Sequence, residues 1–302
     1  MKLRITHVTE YLYTDPVSLC QNTLHLQPRR MERQFIESTD VHVLPEPSVR
    51  SERIDFFGNP ELYVAVQEPH RSLSIVATSV IEVSPTTVTP LTASPAWEDA
   101  VASLAASRDP QSLEALQYTY ESPLVPRHPL LADYAKVSFT PGRPLMEAVF
   151  DLTERIHDEF TFDTRATNVG TPILDVLLHR HGVCQDFAQL QIGCLRSLGI
   201  PARYVSGYLL TNPPPGQQRL VGADASHAWV GVYIPSLGWV DFDPTNAVIP
   251  SEKHVTVAWA RDYDDICPVK GVILGGRQHH LSVSVDVQPI EPVAPSQTQS
   301  QN

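Results

Sequence analysis

The chain has 302 residues, of which 42% are hydrophobic and 19% charged, and its formal net charge is −12. This length is enough for one large domain or two ordinary ones, and the composition is typical of a globular protein. The excess of acidic residues argues against binding of nucleic acid or anionic membranes, which depends on clustered Lys and Arg. We therefore expect neither nucleic acid nor a membrane as a partner.

The start of the chain and its cysteines indicate a compartment. Residues 1–5 lead directly into polar, strand-like sequence, without the apolar region of a signal peptide. No run approaches the roughly 18 apolar residues that span a bilayer. We expect a cytoplasmic protein with reduced thiols. Cys184 and Cys194 would lie about 15 Å apart on one helix, beyond the reach of a disulfide, so Cys194 is predicted to be a core residue.

Residues 1–84 are predicted to form an N-terminal β domain. Short alternations of apolar and polar residues are bounded there by turn residues, which is the pattern of β-strands. The alternations cover residues 3–13, 38–44, 61–67 and 73–83. Their number and spacing favour a β-sandwich.

Residues 85–143 are predicted to be a linker with short helices. Pro, Ser and Thr dominate its first part, and helical patterns follow at residues 97–107 and 110–118. Five prolines within residues 123–144 then indicate an irregular connection.

Residues 144–290 are predicted to form a core domain that ends in a C-terminal strand, and the whole chain is therefore α+β. Apolar periodicity predicts helices in this part of the chain, at residues 144–160, 171–179 and 184–199. Alternation predicts strands, at residues 202–210, 228–234, 239–242 and 281–287. Residues 255–271 show no regular pattern, 211–218 are expected to be an exposed loop, and 291–302 a disordered tail.

A turn glycine followed by a cysteine marks residues 182–188, Gly-Val-Cys-Gln-Asp-Phe-Ala. Cys184 occupies the first position of the predicted helix. A thiol at that position faces unpaired backbone N–H groups and the positive end of the helix dipole, and both favour the thiolate. We therefore predict that Cys184 is a nucleophile.

Two later segments offer partners for this cysteine. His227 begins one strand pattern, and Asp243 ends the next. A Cys, a His and an Asp can act as nucleophile, base and orienter of the base. Alternation places His227 and Trp229 on one face of their strand, and we expect that face to meet the helix of Cys184.

Asp241 competes with Asp243 for the third position, because both share a face of the predicted strand. If residues 228–234 and 239–243 form a hairpin, a turn near Pro235 or Ser236 places Asp243 opposite His227 or one diagonal step away. Asp241 would then lie about 6–7 Å farther along the ladder. We therefore predict that Asp243 holds the imidazole.

A metal site is the alternative interpretation of these residues. His179, His181, Cys184 and His227 could ligate zinc. However, this spacing is not a common zinc pattern, and the sequence contains neither CxxC nor HExxH. The sequence therefore favours the nucleophile interpretation.

Four collinear segments resemble motifs of the bacterial transglutaminase-like superfamily. They are residues 180–190 (nucleophile motif), 200–208 (following strand), 226–230 (histidine motif) and 238–245 (aspartate motif). Residues 1–84 also resemble the β domain that precedes many bacterial cores, through Tyr11-x-Tyr13 and the segment Asp-Phe-Phe-Gly-Asn at 55–59.

The resemblance implies a papain-like core, in which a helix bearing Cys184 packs on an antiparallel sheet bearing His227 and Asp243. It implies acyl transfer on amide or peptide bonds through a thioester, which an amine (transamidation) or water (hydrolysis) resolves. The expected partners are a peptide or amide substrate and an amine acceptor. No cofactor is expected, because no acidic run resembles a calcium loop. The alternative is an inactive protein of this fold that binds peptides or proteins.

Overall fold

The structure is a computed structural model that describes residues 1–87, 89–211 and 226–290. The predicted disordered tail and nearly all of the predicted loop at 211–218 lie outside these residues. The strands are β1 (Lys2–Leu24), β2 (Gln34–Leu44), β3 (Val49–Ile54), β4 (Pro60–Val66), β5 (His70–Val83), β6 (Thr161–Phe162), β7 (His181–Gly182), β8 (Ala202–Leu209), β9 (Ser226–Ile234), β10 (Gly238–Phe242), β11 (His254–Ala260), β12 (Val269–Gly275) and β13 (His279–Pro289). The helices are α1 (Trp97–Ala106), α2 (Pro110–Leu116), α3 (Pro129–Lys136), α4 (Leu145–Glu159), α5 (Ile173–His179) and α6 (Cys184–Ser197). None of the helices in the described ranges combines the length and apolarity that a bilayer crossing requires.

A seven-stranded sheet forms the first domain of the described chain. Its order is β2-β5-β1-β4-β3, and β12 and β13 also pair with β1. Strand β1 is central because its first half pairs with β5 and β13, whereas its second half pairs with β4 and β12. The prediction of a strand-rich N-terminal domain is confirmed.

The final strand lies in this first sheet and not in the core domain, where it was predicted to lie. It pairs with β1 from Leu3↔Pro289 to Tyr13↔His279, and its Val285 is buried. The alternation in residues 281–287 predicts a strand correctly. Alternation depends on burial of one face and carries no information about the neighbouring strand, so the partner could not be predicted.

The second domain has a helix-covered antiparallel sheet, as the α+β prediction requires. The four strands run in the order β10-β9-β8-β11, and β11 lies within residues that show no strand pattern. One hydrophobic cluster joins α6, through Ala188 and Leu190, to Ala228 and Val230 of β9. Cys194 lies in the same cluster with no exposed surface, and burial raises the pKa of its thiol. The predicted α+β fold is confirmed.

Side chains of the first domain cover the outer strand of the core sheet. The Gln34 amide donates to the Thr256 carbonyl at 2.7 Å and accepts from the Thr256 N–H at 2.9 Å. The Asn59 amide makes the same two contacts with Trp259, at 3.0 and 2.9 Å. An uncovered edge strand would present unpaired backbone groups. These amides satisfy part of that edge and connect the two domains.

Candidate active site

Cys184 is the first residue of α6, as predicted. The carboxylate of Asp186 accepts hydrogen bonds from the Val183 N–H at 2.8 Å and the Thr167 hydroxyl at 2.6 Å. Burial raises the pKa of Asp186, and these two hydrogen bonds oppose the rise. A side chain at Gly182 would lie 2.8 Å from the Asp186 carboxylate, so glycine is required there. The N–H of Cys184 has no acceptor within the helix, as at every helix start.

His227 is almost completely buried and bonds to Asp243 on one side. Its Nε2 lies 2.8 Å from Asp243 Oδ2, which assigns the Nε2–H as donor and leaves Nδ1 to face the thiol. Burial alone would lower the pKa of His227. Hydrogen bonds and charge interactions with Asp243 and Cys184 outweigh burial and raise this pKa to about 10. The imidazolium is therefore the form that this site favours at neutral pH.

Asp243 has no exposed surface and is surrounded by hydrogen-bond donors. The donors are His227 Nε2 (2.8 Å), His254 Nε2 (3.0 Å), Asn246 Nδ2 (2.7 Å) and the N–H groups of Thr245 (2.9 Å) and Asn246 (3.2 Å). Burial alone would raise the pKa of Asp243, but these donors and the His227 charge lower it well below its usual range. Asp243 therefore stays ionised and fixes the ring of His227.

The hairpin register separates the two candidate aspartates. Strand β10 pairs with β9 from Gly238↔Ile234 to Phe242↔Val230, which puts Asp243 one diagonal step from His227. Asp241 pairs with Gly231, and its carboxylate accepts instead from the Trp229 indole at 3.1 Å. The geometry agrees with the expected choice of Asp243, whose catalytic role remains a prediction.

The face of β9 that meets α6 differs from the expected one. The cluster shared with α6 contains Ala228 and Val230, whereas the His227 ring lies on the opposite face, against Trp229 and His254. Cys184 and His227 still form a side-chain hydrogen bond, because Cys184 is the first residue of α6 and His227 is the second residue of β9.

His254, the first residue of β11, is a site residue that the sequence analysis missed. It is 8% exposed, and its ring lies 5.3 Å from that of Trp229. Its Nε2 donates to the same oxygen of Asp243 as His227 does. A single histidine in a segment without regular alternation of apolar and polar residues does not indicate a functional site. The role of His254 becomes visible only when β11 pairs with β8 and brings its ring next to Asp243.

The proposed zinc ligands do not form one cluster. The rings of His179 and His181 stack on each other at 5.8 Å. Within the described ranges, the group of three or more His, Cys, Asp or Glu side chains whose ligand atoms all lie within 4.8 Å of one another consists of His227, Asp243 and His254. In this group, both histidines hydrogen bond to the same oxygen of Asp243. The structure thus contradicts the zinc interpretation based on His179, His181 and Cys184.

Both domains match known protein families. Residues 3–82 match the bacterial transglutaminase-like N-terminal region, and residues 134–244 match the core of the transglutaminase-like superfamily. A Mycobacterium tuberculosis protein, described as uncharacterised, is 40% identical over 295 residues, which cover 96% of this chain and 93% of that protein. The chain belongs to the bacterial transglutaminase-like superfamily.

Two further relatives carry functional names. A protein-glutamine gamma-glutamyltransferase of Pseudomonas aeruginosa is 34% identical over 142 residues, which cover 45% of this chain and 21% of that protein. A solved structure from Cytophaga hutchinsonii, named as a candidate cysteine protease, has a TM-score of 0.74 at 22% identity and covers 97% of this chain and 92% of its own. At that identity, the second likeness concerns the fold alone.

Proposed function

We propose that this chain transfers acyl groups from amide or peptide bonds through a thioester on Cys184. The observation that carries the proposal is the His227 ring, which bonds to the Cys184 thiol and to the fully buried Asp243. This is the arrangement of a nucleophile, a base and a group that orients the base. The superfamily, which includes transglutaminases and cysteine proteases, supports this chemistry.

In the first step, Nδ1 of His227 holds the proton of Cys184, and the Cys184 thiolate attacks the carbonyl carbon of an amide. The carbonyl electron pair moves to oxygen, and the N–H of Cys184 at the start of α6 is positioned to stabilise that oxyanion. When the C–N bond breaks, Nδ1 of His227 gives its proton to the departing nitrogen. The products are ammonia or an amine and a thioester on Cys184.

In the second step, water or an amine attacks the thioester. Nδ1 of His227 takes a proton from the attacking group, the C–S bond breaks, and the thiolate and imidazolium form again. Water gives a carboxylate, which is hydrolysis, and an amine gives a new amide, which is transamidation. Every proton and electron pair moves between the substrate and this chain, so the proposal requires no cofactor.

Intact mass after incubation with a library of peptides and primary amides tests the proposal. We expect an acyl adduct on the parent protein, released by hydroxylamine, and none on Cys184→Ala. If no member of the library acylates Cys184 and all substrates are recovered unchanged, the acyl-transfer proposal is wrong for these substrates.

The second candidate function is a binding module of the same fold without chemistry. Labelling by an iodoacetamide probe at pH 6 distinguishes the two, because an ordinary thiol is barely ionised there. Rapid labelling at Cys184, lost in His227→Gln, supports the enzyme. Labelling of Cys184 as slow as that of a free cysteine in the same buffer supports the binding module.

A further inference from the structure

A cavity of about 500 Å³ lies between the first domain and the core. This volume is within the range of small-molecule sites. Apolar side chains from α4, β10 and the turn after it line much of the cavity: Met146, Phe150, Trp239, Val240, Val248 and Ile249. The charged side chains of the lining are Arg33, Arg203 and Asp241.

Arg203, on β8, is 6% exposed and lines this cavity. Its guanidinium carbon lies 3.7 Å from the ring centre of Trp259 and 4.2 Å from that of Trp239. The two rings cover the guanidinium faces, so a further group can approach only its edge. That edge carries the N–H donors that bind carboxylates in a planar, two-point manner.

The Arg203 side chain has no acceptor among the residues that the structure describes. Its Nε is buried against Gly231 without a hydrogen-bond partner, so the part of the guanidinium edge that a ligand can reach is the terminal Nη1 and Nη2. Arg196 provides a comparison in the same domain, since it is fully buried but donates to the carbonyls of Tyr118, Ala202 and Arg261. Arg29 also has an unpaired Nε, but its Nη1 donates to the Phe57 carbonyl. Arg203 donates no such hydrogen bond to a described residue, and the charge of Asp241 and the two Trp rings offset its burial only in part.

The charges around the cavity favour an anion. Arg33 and Arg203 supply two positive charges, and Asp241 supplies one negative charge. One oxygen of the Asp241 carboxylate already accepts a hydrogen bond from the Trp229 indole at 3.1 Å. One added carboxylate would therefore neutralise the site and accept hydrogen bonds from the terminal nitrogens of Arg203.

We propose that this cavity is a second binding site, for a small monocarboxylate with an apolar body. The carboxylate lies at the edge of Arg203, and the apolar body lies against Phe150, Trp239 and Ile249. Arg203 pairs with Gly231 in the sheet, four residues along β9 from His227 and so about 13 Å away at ~3.3 Å per residue. The site is separate from Cys184, and the proposal does not depend on acyl transfer.

Calorimetric titration with 3-phenylpropanoate tests the site. We expect saturable binding with a Kd below about 1 mM. The primary amide of the same compound, which lacks the negative charge, should bind at least about tenfold more weakly. Inorganic phosphate, which lacks the apolar body, should also bind at least about tenfold more weakly.

Two variants connect this binding to the cavity. Arg203→Gln removes the cation, and Ile249→Trp fills the cavity without changing its charge, so it tests the site even if Arg203→Gln does not fold. Each should weaken 3-phenylpropanoate binding at least about tenfold. Arg165→Gln is the matched control, because its side chain is 92% exposed and its loss should leave the Kd unchanged.

Three outcomes would overturn the proposal. The first is absence of saturable binding. The second is equal affinity for the carboxylate and its amide, or for the carboxylate and phosphate. The third is a Kd that Ile249→Trp and every folded Arg203→Gln preparation leave unchanged.

Discussion

Two carboxylates at the same face of the core sheet differ in their surroundings. Asp243 is fully buried and accepts hydrogen bonds from His227 and His254. Asp241, two residues earlier, accepts from Trp229 and lies near Arg203, which has no acceptor. In the first cluster, residues of the chain itself supply the hydrogen bonds that the charged group needs. In the second cluster, Arg203 donates no hydrogen bond to a described residue.

The difference indicates which cluster can act alone and which one requires a ligand. Donors around Asp243 fix its charge and, through it, the orientation of His227, so the site is organised before a substrate arrives. The burial of Arg203 costs free energy that the charge of Asp241 and the two Trp rings offset in part, and an added acceptor would offset more of it. Five experiments, two of them on Asp243 and Asp241 as a matched pair, test this contrast.

The largest effect is expected from Cys184→Ala. It should reduce turnover by at least about 10⁴-fold, as loss of a nucleophile does in serine enzymes. The free energy of unfolding should change by less than about 0.5 kcal/mol, because Cys184 is only partly buried at the edge of the core and alanine retains its Cβ. Turnover on an amide substrate and chemical denaturation provide the two measurements.

Cys194→Ser is the control for Cys184→Ala. Cys194 has no exposed surface, so a hydroxyl there should cost about 1–3 kcal/mol of stability and leave turnover intact. If Cys184→Ala instead unfolds several degrees earlier and retains turnover, Cys184 is a structural residue.

Asp243→Asn should have the next largest effect. Loss of the orienting carboxylate lowers kcat on the order of 10⁴-fold in serine proteases. A smaller loss is expected here, because a thiol is intrinsically more nucleophilic than a hydroxyl. The kcat/KM profile should be bell-shaped, with two apparent pKa values that belong to the Cys184–His227 pair. Because Asp243 raises the pKa of His227, its removal should move the alkaline limb to lower pH.

Asp241→Asn is the matched variant for Asp243→Asn. It should change kcat less than about tenfold, which is under about 1.4 kcal/mol of barrier, because Asp241 does not contact His227. The opposite ranking of the two variants would contradict the assignment of Asp243.

The pH dependence of stability isolates the His227–Asp243 pair when the thiol is absent. Burial lowers the pKa of His227, and Asp243 and Cys184 raise it in the parent protein. In Cys184→Ala, we expect Asp243 alone to keep this pKa above the unfolded value of about 6.5. The pair's contribution is then complete below about pH 6.5 and is lost as pH rises through the folded pKa. The slope approaches about −1.4 kcal/mol per pH unit, so the free energy of unfolding should fall by up to about 2 kcal/mol between pH 7 and 8.5.

The double variant Cys184→Ala/His227→Gln is the control for this measurement. It lacks the titrating ring and should show no such fall over the same interval. Equal slopes for the two proteins would mean that Asp243 does not raise the pKa of His227.

The smallest effect is expected at His254, a positioning residue that acts through Asp243. His254→Phe removes a donor to Asp243 Oδ2 and should lower kcat about tenfold, the equivalent of one hydrogen bond of about 1.4 kcal/mol. KM should stay unchanged. His254→Gln, whose amide can donate, should recover most of the rate, whereas a merely structural role would show no recovery.

Local sequence signals predicted much of this architecture. The helix start at Cys184 follows from a turn glycine and apolar periodicity, and the relation of Asp243 to His227 follows from the length of one hairpin. The partner of the final strand, the helix-facing side of β9 and the place of His254 could not be predicted. Each depends on contacts between distant segments, and a single strand's alternation carries no information about such contacts.

The pairing of β1 with β12 and β13 affects the order in which the two sheets can fold during synthesis. Each half of β1 has one neighbour among β4 and β5 and another from the last two strands. Until residues 269–289 have left the ribosome, each half of β1 keeps one unpaired edge, the kind of surface on which chains associate incorrectly. The N-terminal sheet, although synthesised first, is therefore completed last.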